Sequence, residues 1–81
     1  MIELKNIHLE ENSGFIKATA YVESSEEPVE LVMNSKGEWE HEPVLPSEYS
    51  YCDGHIFYAK NYLQKLIGTK FEPHNKLIMW Y

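Results

Sequence analysis

Arginine is absent from this 81-residue chain, and its seven lysines are outnumbered by thirteen acidic side chains, for a formal net charge of −6. A phosphate-binding surface relies on clustered cations, ideally the planar fork of a guanidinium. The charge therefore argues against nucleic acid and against anionic membranes as partners, while leaving a basic protein surface compatible. Cysteine occurs once, at Cys52. A single thiol forms no internal disulfide, and small secreted domains usually need several, so a reducing compartment, the cytoplasm, is expected. Long apolar runs are missing too: none approaches the roughly 20 residues needed to span a bilayer. Residues 1–6, MIELKN, carry charges where a signal peptide would need an unbroken apolar stretch. Glycine-rich phosphate loops, a GxSxG elbow, zinc-ribbon spacings, HxH and HExxH are all lacking.

What is present is aromatic. Six Tyr, three Phe and two Trp stand in a chain long enough for a single domain, residues 1–81. A domain of this size buries only roughly 60 to 65% of its unfolded surface, and each ring brings on the order of 150 to 250 Å². The rings therefore help to complete a core that aliphatic side chains alone would leave marginal.

Apolar alternation of period two, which needs a pleated strand, recurs four times before the pattern changes. In residues 2–10, Ile2 and Leu4 fall on one phase and Ile7 and Leu9 on the other. A bulge at Lys5-Asn6 would return all four to one face, because an extra residue turns the following side chains over. The turn Glu11-Asn12-Ser13-Gly14 leads into a second strand, residues 15–23, with Ile16, Ala18, Ala20 and Val22 on one side and Phe15, Lys17, Thr19 and Tyr21 on the other. The small alanines suggest close approach of something bulky. Val29, Leu31 and Met33 mark a third strand after Pro28. The turn Asn34-Ser35-Lys36-Gly37 precedes a short fourth, where Trp39 and His41 alternate with Glu38, Glu40 and Glu42. Three carboxylates along one side suit an edge.

Pro43 and Pro46 break the sheet. Cys52, Ile56, Ala59, Leu63, Leu66 and Ile67 then recur at helical spacing, predicting a helix over about 51–67 with Ser50 and Asp53 as a capping pair, Ser47 as the rival cap and Gly68 as its stop. Residues 76–81 form the last expected strand. Its consecutive apolar residues, Leu77 to Tyr81, call for cover on both faces and hence for a central position. The order is β-β-β-β-α-β, an α+β fold: an antiparallel sheet of four to five strands with one helix packed on one face.

Chemistry-bearing residues are sparse. Cys52 and His55 stand three apart on the helix, a spacing that suits a metal or an activated thiol, and His41 is the only further ligand worth weighing. Cys52, however, lies on the apolar stripe, where a free thiol behaves as a small hydrophobe. No catalytic, metal or cofactor site is assigned, and no enzyme activity is expected. Two surface features stand out instead. Tyr51, His55, Tyr58 and Tyr62 form a second helical stripe beside the buried one, and Phe57 falls among polar positions, to be covered by residues 43–49 or left for another chain. A single helix also leaves one sheet face bare, exposing Phe15, Thr19 and Tyr21, with Val32 and Trp80 assigned there as well. The expected role is a small interaction or scaffolding module, homodimeric through that face. Its alternative is an acidic inhibitor or immunity-type protein whose Glu38, Glu40 and Glu42 enter a basic cleft on a target. No small-molecule ligand is assigned.

Overall fold

The computed structural model describes residues 1–80; Tyr81, the last residue of the expected final strand, lies outside them. The chain forms β1 (Ile2–Glu10), β2 (Phe15–Val22), β3 (Val29–Met33), a single 3-10 turn (Ser47–Tyr49), α1 (Asp53–Gln64) and β4 (His74–Ile78). The strands make one antiparallel sheet in the order β3-β2-β1-β4, which with the helix gives an α+β fold.

The bulge in β1 sits where the phase of its apolar residues switches. Asn6 takes a positive φ of 54°, and the register slips by one residue against both neighbours, between Lys5 and His8 toward β2 and between Leu4 and Ile7 toward β4. Its backbone N–H, released from the ladder, donates to Asn75 Oδ1 at 2.9 Å. With the extra residue absorbed, Ile2, Leu4 and Ile7 all reach zero exposure. They join Ile16, Ala18, Ala20 and Val22 of β2 and Val29, Leu31 and Met33 of β3 in one core, closed from above by Cys52, Ala59 and Leu63.

Two strand expectations are corrected. The segment after β3 contributes one bridge, Met33 to Trp39, rather than a fourth strand. Asn34 Oδ1 accepts the backbone N–H groups of Lys36 and Glu38, Gly37 turns at φ 81°, and Glu40 donates its N–H to Val32 O at 2.8 Å. After that single hook the chain leaves, since Pro43 lacks the donor a ladder would need. The final strand is an edge, not a central strand. Lys76 stands opposite Leu4 and so faces the helix side, its Nζ 5.6 Å from the centre of the Tyr62 ring. An inward-facing charge of this kind is tolerated only where solvent is near, and it discourages further strand addition. Leu77 and Met79 are accordingly about half exposed, so cover is one-sided.

The helix starts later and ends earlier than its apolar stripe, and neither expected cap forms. Cys52 occupies the N-cap position without a side-chain hydrogen bond, and the 3-10 turn before it also lacks one. Asp53 in the first turn still complements the positive end of the helix dipole. Beyond Gln64 the backbone tightens into i→i−3 bonds through Thr69, with Gly68 at φ 76°.

Candidate interaction surfaces

Cys52 and His55 do not form a reactive pair. The thiol has zero exposure within the core, and burial pushes its pKa up, away from thiolate character. The His55 ring meets Trp80 edge-on at 4.7 Å. Its Nε2 is 3.4 Å from Glu23 Oε2 but too poorly aligned for a hydrogen bond. His41 is exposed, and among the described residues no three His, Cys, Asp or Glu side chains gather as metal ligands would. Among the described residues no helix is long and apolar enough to cross a membrane.

The aromatic stripe does form a surface at the start of α1. Tyr58 stacks on Trp80 with centroids 4.4 Å apart and planes 24° apart, and Phe57 meets Tyr58 edge-on at 6.2 Å. Tyr51 lies 6.2 Å from Tyr49. Exposure is 73% for Tyr51, 60% for Phe57 and 42% for Tyr58, well above what a ring that completes a core retains. Residues 43–49 border Phe57 without covering it: a groove of about 310 Å³ runs between Trp39, Glu42 and Pro43 on one side and Asp53 and Phe57 on the other. Tyr62 differs from its companions, since its hydroxyl hydrogen-bonds His74 Nε2 at 2.8 Å and the ring is half-buried under Lys76. Trp80, assigned from sequence to the bare sheet face, belongs here instead. It follows the parity of Ile78, which pairs with Ile2 on the helix side, so its ring turns toward α1.

The second surface is the far side of the sheet. Trp39, Leu45, Tyr49 and Phe71, from the segments outside the regular elements, all pack against the core. The opposite face is left to Phe15, Lys17, Thr19 and Tyr21 of β2, flanked by Val32 and by the half-exposed Leu77. Its charges are largely settled among themselves. Lys17 Nζ lies 2.6 Å from Glu10, and Lys5 reaches both Glu3, at 3.9 Å, and the Tyr21 ring, at 5.6 Å. Three carboxylates (Glu3, Glu10, Glu30) against two lysines (Lys5, Lys17) give this face −1 of the chain's −6.

Acidity is unevenly placed along the chain as a whole. Residues 18–59 hold nine of the thirteen carboxylates and one lysine, Lys36, and the fold brings Glu23, Glu48 and Asp53 of this span to the start of α1. That imbalance is visible in the sequence once the chain is divided there, and overall composition hides it. Glu23 itself sits at a positive φ of 51° just past β2, where its carboxylate accepts from the Met1 ammonium and faces His55.

Two carboxyls are held below their ordinary value of 4.5: Glu10, chiefly by its hydrogen bond from Lys17, and Glu23, chiefly by the Met1 ammonium. A depressed native pKa adds stability that is present above the unfolded value and lost as pH falls through the native one. Stability is therefore expected to be level above about pH 4.5 with respect to these groups and to decline below it. Lys17→Met should return the Glu10 carboxyl toward its ordinary pKa in a carbon-13 NMR titration; an unmoved titration would show that the pair does not persist in water.

No protein-family model, curated protein or solved structure matches the chain. The two surfaces, rather than kinship, carry the functional reading.

Proposed function

We propose that the chain is a small, non-catalytic protein-interaction module that pairs with a second copy of itself through the bare sheet face. The observation that carries this reading is the combination on that face of half-buried rings with a charge close to balance. Two copies approaching there avoid most of the repulsion that a net −6 imposes on any other orientation. Phe15 and Tyr21 stand at the two ends of β2 with Lys17 and Thr19 between them and Val32 beside Lys17, so apolar contacts alternate with charges of both signs from Glu3, Lys5, Glu10 and Lys17. Four strands about 4.8 Å apart, each rising about 3.3 Å per residue, span on the order of 350 to 500 Å² in projection. A standard interface takes about 800 Å² per partner, so the dimer is weak and reversible.

Sedimentation velocity across micromolar to millimolar protein tests it. A concentration-dependent shift from monomer to dimer is expected, abolished by Tyr21→Lys with Val32→Lys; a monomer throughout the range rejects it. The fully buried Cys52 and the absence of a disulfide favour placing the module in a reducing compartment, the cytoplasm. The alternative of an acidic inhibitor draws on a different observation. Glu38, Glu40 and Glu42 are all exposed but no longer share a strand, and Glu42 instead borders the groove beside Asp53 at the first turn of α1.

A further inference from the structure

We propose that the aromatic surface at the start of α1 docks a lysine- or arginine-bearing segment of a partner protein. This surface is separate from the bare sheet face and lies on the opposite side of the sheet. Phe57 and Tyr58 stand out from the helix and Tyr51 just before it, and Tyr58 is held in place by stacking on Trp80. Rings fixed in this way lose little freedom on binding, which is why tyrosine and tryptophan dominate contact energies.

Charge selects the occupant. Glu42 and Asp53 flank the Phe57 groove, and Glu48 lies on the turn that leads into the helix. Among the described residues, none of these three carboxylates is held in an ion pair, unlike Glu3, Glu10 and Glu23. Lysine is scarce nearby: Lys60 alone borders the groove, and Lys65 and Lys70 lie beyond the helix body, toward its far end. An acidic or phosphorylated segment would be repelled, as would an anionic lipid surface. An uncharged apolar segment would leave the free carboxylates with nothing to pair. A cationic side chain instead satisfies both elements of the surface, its charge against the carboxylates and its stem or guanidinium plane against a ring face, in the geometry of a cation–π contact.

The Met1 amine is held by Glu23, at the rim of a cavity of about 370 Å³ that Trp80 and Met79 also line. A second copy of this chain fits poorly, since it has no arginine and carries a net charge of −6.

The test uses the full chain and three capped hexapeptides, alternating alanine with arginine, with glutamate or with serine, titrated to millimolar concentration and followed by amide NMR shifts. The arginine peptide is expected to move resonances of residues 48–58 and 79–80, with binding that weakens as salt rises, and the glutamate and serine peptides to move none. Phe57→Ser with Tyr58→Ser should weaken binding by about tenfold. Phe57→Ser alone, at a ring already 60% exposed, serves if the double variant does not fold. The proposal is overturned by no binding, by shifts spread equally over every acidic loop, by binding that ignores loss of the rings, or by serine-peptide binding of equal strength. The monomeric Tyr21→Lys, Val32→Lys variant should bind the arginine peptide unchanged, so the two surfaces succeed or fail separately.

Discussion

Leu63→Ala is expected to destabilise the domain by about 2 to 5 kcal/mol, the range for removing a fully buried leucine. Leu63 and Ala59 are the only residues of α1 with zero exposure, so the helix is fixed to the sheet largely through this one large side chain. Ile56, Tyr62, Leu66 and Ile67 pack around it only partly buried. Set against the roughly 4 to 12 kcal/mol that 81 residues afford at about 0.05 to 0.15 kcal/mol each, such a loss removes a large share of the total. Urea unfolding should show a much lower midpoint with an unchanged slope. Leu77→Ala, on the bare face and half exposed, should change it by less than about 0.5 kcal/mol. A loss below about 1 kcal/mol at Leu63 would mean that the helix is not held on the sheet as described.

Deleting a single residue should have opposite consequences at two nearby positions in the sheet. Without Asn6, β1 alternates regularly and Ile2, Leu4, Ile7 and Leu9 still share one face. Both neighbouring registers then run without a break, since β2 and β4 each slip by one residue at this same point. The expected cost is modest: the hydrogen bond to Asn75 and some local twist. Deleting Thr19 from the regular strand β2 instead turns either Ile16 and Ala18 or Ala20 and Val22 to solvent. A half-core on the wrong face is beyond what a domain this small can sustain. Circular dichroism with thermal melts should show a cooperative transition for the Asn6 deletion and none for the Thr19 deletion. Equal behaviour of the two would refute the bulge as the device that aligns β1.

How far the sequence discloses the structure depends on how local the governing physics is. The bulge was legible because a phase switch inside one strand has only one economical remedy. The buried stripe from Cys52 to Leu63 was legible because helical spacing is a property of a single segment. Placement of the last strand was not. Five consecutive apolar or aromatic residues read as two covered faces, yet β4 is an edge, and the position of Lys76 opposite Leu4 follows from pairing that no local pattern encodes. Trp80 was misassigned for the same reason, since its face is set by the partner of Ile78. The fourth strand failed because Asn34 folds its own turn tightly enough to leave one bridge before Pro43 intervenes. The exposed rings on α1 were visible as a stripe. Their grouping with Trp80, and the carboxylates gathered beside them, required the chain to be folded first.

The hook from Glu40 to Val32 has a consequence for behaviour at high concentration. With the bond from Asn34 N–H to Glu38 O it engages the outer rim of β3 at its C-terminal end, and the other border, β4, begins after Pro73 and carries Lys76 at its middle. Both borders are thereby made less inviting to a further strand, which lowers the tendency of a chain this rich in aromatic and β-forming residues to grow into fibrils.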